Sequence, residues 1–179
     1  MRRARRADRL HSRGFTLIEL LIVIAIIGLL SAMLIPNMLD AMQKAKQKRV
    51  MAEERIVGTA MMIWLTDQTG AAAAGSSVDQ VDINDYGDAL TADELAQELV
   101  PQYIEAIPEL DGWKHPYEYY LKLEDFHESD QVMAVRSAGL GGAYVGEVYE
   151  PGAFDPTDFS QDIIWADGLF VRWPQKLTT

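Results

Sequence analysis

Two histidines lie close to carboxylates in the sequence, an arrangement that could support acid–base chemistry. His115 follows Asp111, and His127 lies between Asp125 and Glu128. General acid–base catalysis needs such groups within hydrogen-bond reach of a reacting atom. The sequence adds to them no nucleophile with an oriented base, no phosphate-binding loop and no spaced set of metal ligands. The chain is therefore predicted not to be an enzyme, and an anchored enzyme is the less favoured alternative.

A further carboxylate, Glu19, lies where a charge is costly. It is the single charged residue in the 21 residues from Phe15 to Ile35. As a helix this run would be about 31 Å long, enough to cross a hydrocarbon core. A charge near mid-membrane costs about 2.5–3.5 kcal/mol on insertion scales, so such a residue is usually functional or paired.

The charges of the chain are segregated. Residues 1–14 hold six arginines and one aspartate, whereas residues 56–179 hold five basic and 22 acidic side chains. Basic residues before a span keep that end in the cytoplasm, so the acidic part is predicted to lie on the other side of the membrane. Its charge disfavours nucleic-acid binding through phosphate contacts. The chain has no cysteine, which excludes thiolate catalysis, thiolate zinc sites and disulfides.

The first 35 residues have two simple interpretations. A secretory signal peptide would have a basic segment, an apolar segment and a small-residue cleavage site. The residues from Met33 to Met38 make a poor cleavage site, and the apolar run is longer than usual for a signal peptide. A plain signal anchor explains the length and the arginines, but it does not explain Glu19.

The stretch Arg13-Gly14-Phe15-Thr16-Leu17-Ile18-Glu19 resembles the processing motif of type IV pilins and of the pseudopilins of type II secretion. The resemblance implies that a prepilin peptidase cuts between Gly14 and Phe15 and methylates the new amine of Phe15. It also divides the chain into four parts. These are a removed leader (1–14), a transmembrane and assembly helix (15–35), an amphipathic helix (36–68) and a globular head (69–179).

Cleavage would explain the carboxylate of Glu19. The new α-amine of Phe15 has a reference pKa near 8 and is mostly cationic at neutral pH. In lipid or in a packed helical core, the carboxylate of one subunit can pair with the amine of a neighbour, with little competition from water. Phe15 and Glu19 are also four residues apart, so an amine can reach the carboxylate of its own chain. The sequence leaves both pairings open.

The helix is predicted to continue beyond the membrane. Pro36 is expected to bend or locally melt it rather than to end it. Helical spacing of apolar residues then predicts one buried face, formed by Leu39, Met42, Val50, Val57, Met61 and Trp64. The basic cluster among them, Lys44, Lys46, Lys48 and Arg49, is either a solvated helix face or a contact for acidic surfaces of neighbouring subunits.

The head is predicted to be α+β. Thr91 and Glu94 form a capping box that begins a short helix at about 92–99. Alternating apolar residues predict strands at 117–123 and 132–135, and Asp167-Gly168 predicts a two-residue hairpin turn between 163–166 and 169–173. The expected fold is a long N-terminal helix packed on a small antiparallel sheet of three to four strands, which is the pilin fold by resemblance.

Residues in the second half resemble the major pseudopilin in particular. The run from Leu110 to Tyr119 is similar to its DPWGxPYxY stretch, with departures at Gly112 and Lys114. Ser137-Ala138-Gly139 and the run 162–165 resemble further landmarks of that family in the same order. Type IVa pilins usually close their C-terminal loop with a disulfide, which this chain cannot form.

The resemblance also raises calcium as a cofactor, because major pseudopilins tie this loop with calcium. Asp155, Asp158 and Asp162 could supply carboxylate oxygens to an ion that takes six to eight. However, Leu140, Gly141 and Gly142 stand where the family has acidic residues. The alternative is that the three aspartates form turns and improve solubility.

The resemblance implies a filament subunit of the major-pseudopilin type, in a periplasmic pseudopilus that supports type II protein secretion. Its expected partners are copies of itself, a prepilin peptidase, an assembly ATPase with platform proteins, minor pseudopilins and, before assembly, the inner membrane. The expected location is the inner membrane, with the head in the periplasm, and then a filament in the periplasm or at the cell surface. The alternatives are a subunit of a surface type IV pilus and a membrane-anchored acidic binding module that does not polymerise.

Overall fold

The structure is a computed structural model and describes residues 15–69, 80–123 and 131–176. The chain divides into two units, residues 1–39 and residues 40–179. The long helix α1 (Leu17–Thr69) begins in the first unit and ends in the second.

In the first unit, the apolar side chains of α1 are exposed. Among the described residues, α1 is the one helix that is long and apolar enough to cross a membrane, by length and composition. The helix is uninterrupted at Pro36, so the proline does not melt it. A bend at Pro36 stays a prediction.

The second unit has its core between α1 and a five-stranded sheet. The predicted helix face contributes Val50, Val57, Met61 and Trp64, all of them buried. Leu39 and Met42 were predicted to share this face, but they are 54% and 50% exposed because no described residue covers them.

One close approach joins α1 to the sheet. A Cβ atom added to Gly58 would lie 2.6 Å from the ring of Trp165. Because Gly58 has no side chain, the indole of Trp165 can pack directly against the helix, where it is buried.

The strands are β1 (Val81–Asp82), β2 (Glu118–Leu121), β3 (Met133–Ser137), β4 (Val148–Tyr149), β5 (Gly152–Phe154), β6 (Ile163–Ala166) and β7 (Leu169–Pro174). The main sheet has the order β2-β3-β6-β7-β5, and β1 pairs separately with β4. All pairs are antiparallel except β5 with β7, which is parallel.

The long helix on a sheet confirms the α+β arrangement, but the predicted three to four antiparallel strands are too few. β4 and β5 have two and three residues, too short to show an alternating pattern in the sequence. The parallel pairing of β5 depends on tertiary structure and has no local signal.

Two local predictions are confirmed at residue level. The second helix, α2 (Ala92–Leu99), begins with the complete capping box of Thr91 and Glu94. The turn between β6 and β7 has positive φ at both Asp167 (44°) and Gly168 (97°), the conformation that favours Asp-Gly in a two-residue turn.

Asp167 has a second role that the turn pattern did not predict. Its carboxylate accepts hydrogen bonds from the backbone N–H groups of Val132 and Met133, each at 3.1 Å, and from the Tyr86 hydroxyl at 2.7 Å. The hairpin turn is thereby tied to the start of β3 and to the short 3₁₀ turn at 83–86. Burial raises the pKa of this carboxyl, against the opposing effect of these donors.

Candidate functional site

The start of α1 is a capping box formed by Thr16 and Glu19. The Thr16 hydroxyl accepts the N–H of Glu19 at 3.2 Å, and Glu19 Oε2 accepts the N–H of Thr16 at 2.8 Å. The hydroxyl of Thr16 also donates to the same Oε2 at 2.6 Å. Free N–H groups of the first turn are thus satisfied, and the carboxylate lies at the positive end of the helix dipole.

This role of Glu19 was missed in the sequence, although the signal was present. Thr16-x-x-Glu19 has the same spacing as Thr91-x-x-Glu94, from which the start of α2 was predicted correctly. The apolar residues around Glu19 indicate the cost of its charge in a membrane, whereas the local hydrogen-bonding role is indicated only by its spacing from Thr16.

The predicted cleavage site lies just before α1. Gly14 is outside the described residues, whereas Phe15 precedes the helix and is 72% exposed. The three hydrogen bonds of the cap join Thr16 and Glu19. Cleavage and methylation at Phe15 stay predictions.

The three aspartates proposed for calcium are each engaged locally. Asp155 accepts the N–H and the hydroxyl of Thr157 at 2.9 and 2.7 Å, and these bonds lower the pKa of Asp155. Asp158 accepts the N–H of Ser160 at 3.2 Å and the side-chain amide of Gln161 at 2.8 Å.

Asp162 differs from the other two because it is buried, with 2% of its surface exposed. Its Oδ2 accepts the Val145 N–H at 2.8 Å and the Tyr149 hydroxyl at 2.7 Å, whereas within the described residues Oδ1 has no hydrogen-bond partner. Burial raises the pKa of this carboxyl.

The donor set does not fit a calcium site as it stands. No group of three or more acidic or histidine side chains is gathered around one point in the parts of the chain that the structure describes. Two of the three aspartates act as turn residues, and only Asp162 has an unused buried oxygen.

The pair of Asp111 and His115 is structural in its geometry. Asp111 Oδ1 accepts the backbone N–H groups of Trp113 and His115 at 2.8 and 2.9 Å, and Oδ2 accepts the hydroxyl of buried Ser137 at 2.7 Å. The ring Nδ1 of His115 bonds to the carbonyl oxygen of Gly139 at 2.8 Å and not to the carboxylate. Asp111 therefore fixes the turn before β2 onto the end of β3. His127, Asp125 and Glu128 lie outside the described residues.

Glu54 on α1 is a buried carboxyl on the helix face that was predicted from Val50, Val57, Met61 and Trp64. It is 0% exposed, and within the described residues neither of its oxygens has a hydrogen-bond partner. Burial, followed by the nearby charges of Asp111 and Glu53, raises the pKa of Glu54 well above its usual value. The native fold therefore favours the neutral acid at this position. The sequence held a signal for this burial, because Glu54 follows Val50 by four residues and precedes Val57 by three, which places it on the predicted buried face.

Comparison with known proteins gives an N-terminal match. Residues 9–35 match the model of the prokaryotic N-terminal methylation motif. The chain is 60% identical over 42 residues to the type IV wide pilus major component PilA4 of Thermus thermophilus, covering 24% of this chain and 32% of that protein. It is 40% identical over 58 residues to the type IV major pilin protein PilA of Myxococcus xanthus, covering 32% of this chain and 26% of that protein.

A longer alignment reaches a secretion protein. The chain is 26% identical over 105 residues to the type II secretion system core protein G of Aeromonas hydrophila, covering 59% of this chain and 70% of that protein. The chain spans about a third or less of the length of the two pilins above. No solved structure matches. The methylation motif, the long helix on a sheet and these relatives support a pilin-like family, and the similar proteins include both type IV pilins and type II secretion protein G.

Proposed function

We propose that the chain is a filament subunit of the major-pseudopilin type, which polymerises into a periplasmic pseudopilus that supports type II protein secretion. The observation that carries the proposal is the reach of the alignment with protein G. It extends over 105 residues, whereas α1 has 53, so the similarity includes part of the head.

Processing is the first step of this proposal. A prepilin peptidase removes residues 1–14 by cutting after Gly14, and Phe15 becomes the methylated N-terminus. The match to the methylation motif covers both residues. The arginine-rich leader holds the N-terminus in the cytoplasm and places the head in the periplasm.

Assembly then depends on Glu19. Within the described residues both donors from Thr16 reach Oε2, which leaves Oε1 for the amine of a neighbouring subunit. An incoming subunit with an unpaired charge in lipid gains an ion pair when it joins the filament. The assembly ATPase, platform proteins and minor pseudopilins are the partners that this route requires.

Gly14→Val tests the processing step. The peptidase needs a small residue at position 14, and the branched side chain of valine removes it. The precursor is therefore expected to keep its leader, residues 1–14, and to stay unassembled. Mass spectrometry of the wild-type protein is expected to give a methylated N-terminus at Phe15. Gly146→Val is the matched control, because Gly146 lies outside the assembly helix and a Cβ atom there would meet only the Val148 carbonyl oxygen, at 4.0 Å. A mature wild-type chain that starts at any residue other than Phe15 contradicts the proposal.

A surface type IV pilus, used for adhesion, motility or DNA uptake, is the second candidate. The 60% identity to the wide-pilus component supports it, although that alignment covers only 42 residues. Antibody labelling of intact cells separates the two, since a surface pilus is labelled and a periplasmic filament is not. A chain that is processed but never found in filaments would instead be an anchored binding module.

A further inference from the structure

A groove of about 730 Å³ lies in the second unit, between α1 and the end of the main sheet. Its apolar wall is formed by Met51, Pro156, Trp173 and Pro174, and its polar rim by Gln47, Gln175 and three lysines, Lys44, Lys48 and Lys176. We call this surface the lysine groove.

The lysine groove contrasts with the charge of the head around it. Residues 56–179 carry 22 acidic and five basic side chains, but no acidic residue lines the groove. Among the residues that the structure describes, no ion pair engages Lys44, Lys48 or Lys176. Three cations beside an apolar wall fit a partner that is acidic and carries some apolar surface.

The same chain offers an acidic surface that also exposes the apolar residues Pro101 and Ala106. Residues 82–109, which we call the acidic segment, contain eight acidic residues and no lysine, arginine or histidine. The segment includes α2, whose Asp93 and Glu98 are exposed while Leu95 and Leu99 are buried in the core. The acidic face is therefore held on a packed helix.

The two surfaces lie at opposite edges of the main sheet. The acidic segment packs on β2, through contacts of α2 and the bridge between Leu90 and Tyr119. The lysine groove is lined by residues of β7 and by Pro156, which follows β5. β2 and β5 are the two edge strands of a five-stranded sheet, about 19 Å apart at about 4.8 Å per step.

This separation decides the type of contact. A copy cannot place its own acidic segment in its own groove across the sheet. Two copies can meet groove to segment, and such a head-to-tail contact leaves one groove and one segment free for the next copies. Contacts of this kind propagate into rings or filaments, whereas a contact of one patch with itself stops at a dimer.

We propose that the lysine groove of one subunit receives the acidic segment of a second copy of this chain. This contact would join the globular heads of neighbouring subunits along the filament. This inference rests on the proposed filament function and adds the surfaces that join neighbouring heads. It also assigns Lys44 and Lys48 to subunit contact rather than to a solvated helix face.

Disulfide crosslinking of the full-length chain in membranes tests the contact directly. The chain has no cysteine, so any crosslink comes from the introduced residues. Copies with Lys48→Cys are expressed together with copies with Glu98→Cys, and oxidation is expected to give mixed dimers. Each variant alone is expected to give none. Glu150→Cys, at an exposed site outside the acidic segment, replaces Glu98→Cys in the control mixture.

Charge reversal gives an independent test. Lys48→Glu with Lys176→Glu is expected to lower the sheared filament yield about tenfold, and Asp93→Lys with Glu98→Lys to do the same. Uniting the four changes in one chain is expected to restore most of the yield, because opposite charges again face each other. Lys114→Glu, at an exposed lysine outside the groove, makes the same change in net charge as Lys48→Glu alone and is the control for that single variant.

The outcomes separate this inference from the proposed function. Wild-type filaments without the specific crosslink, or reversed charges without loss of yield, overturn the groove contact and leave the filament function standing. The specific crosslink in a chain that never forms filaments supports the contact and overturns the filament function. Lysine variants that lose binding to anionic phospholipid vesicles while keeping filament yield would assign the groove to lipid and overturn the contact.

Discussion

Two glutamates on α1 solve the problem of a carboxylate in apolar surroundings in opposite ways. Glu19, in the apolar run, is exposed and accepts two hydrogen bonds from Thr16. Glu54, in the part of α1 that packs in the head, is fully buried and has no hydrogen-bond partner within the described residues. The carboxylate of Glu19 thus finds its hydrogen bonds within one helical turn, whereas the carboxyl of Glu54 bears the free-energy cost of burial without a partner. Helical spacing places Glu54 on the buried face, but only the structure shows that no described residue there pairs with its carboxyl.

The largest expected effect separates the charge of Glu19 from its capping role. Glu19→Ala is expected to insert in the membrane but to lower filament yield about tenfold or more, because it removes a charge-assisted contact. Glu19→Gln keeps an oxygen that can accept from Thr16 but has no charge for an amine. Filament yield after shearing, with membrane content as the control, measures both variants. Normal assembly of Glu19→Gln would show that the cap alone matters.

The second effect reverses the usual sign of a core mutation. Glu54→Met is expected to stabilise the chain by about 1–3 kcal/mol, because it replaces an unpaired buried polar group with an apolar side chain of similar size. Urea unfolding of the full chain in detergent measures the change. Glu53→Met is the matched control and is expected to bring no gain, because Glu53 accepts the Tyr117 hydroxyl at 2.8 Å and the Arg49 side chain at 2.7 Å. A destabilised Glu54→Met variant would mean that Glu54 has a partner in solution.

The third effect is a pH dependence that Glu54 imposes. Burial raises the pKa of Glu54 above its ordinary value of 4.5, so the native state holds a proton that the unfolded chain releases. The contribution of Glu54 to the free energy of unfolding is therefore fully present below about pH 4.5 and is lost as the pH rises through its native pKa.

Melting temperatures across this range are expected to fall less steeply in Glu54→Gln than in the wild type. Asp162 and Asp167 also have raised pKa values and contribute with the same sign, so the difference between the two slopes isolates Glu54. Equal slopes would contradict a protonated Glu54 in the native state.

The smallest effect concerns Asp162, whose hydrogen bonding is intermediate between that of Glu19 and that of Glu54. One of its oxygens is satisfied, and the other is buried without a partner in the described part of the chain. One unused oxygen does not make a calcium site, so millimolar Ca²⁺ is expected to leave the melting temperature of the wild type equal to that in chelator. A rise of about 2–4 °C in Ca²⁺, corresponding to about 1 kcal/mol, that Asp162→Ala abolishes would contradict this and support the calcium site predicted from the sequence.

Features set by local sequence were predictable in this chain. The cap of α2 and the turn at Asp167-Gly168 each need a few adjacent residues of defined type, and both predictions are confirmed. β5 was not predictable, because a strand of three residues pairs in parallel with β7 through tertiary contacts alone. The contact of Asp111 with Ser137 was missed for the same reason, since the two residues are distant in the sequence. The burial of Glu54 follows from its spacing on the predicted helix face, but the lack of a hydrogen-bond partner among the described residues depends on the surrounding core.

The cap at the start of α1 has a consequence for the order of events during maturation. Because its described hydrogen bonds join Thr16 to Glu19, the proposed removal of residues 1–14 would leave both partners of the cap in the chain. The cut would then act on charge alone, placing a new cation on Phe15 beside the positive end of the helix dipole. A cation beside the positive end of a helix dipole is unfavourable by about 0.3–1 kcal/mol. The proposed cut would thus add a cation at the helix end that already holds the Glu19 carboxylate, and this cation could pair with Glu19 of its own chain or of a neighbouring subunit.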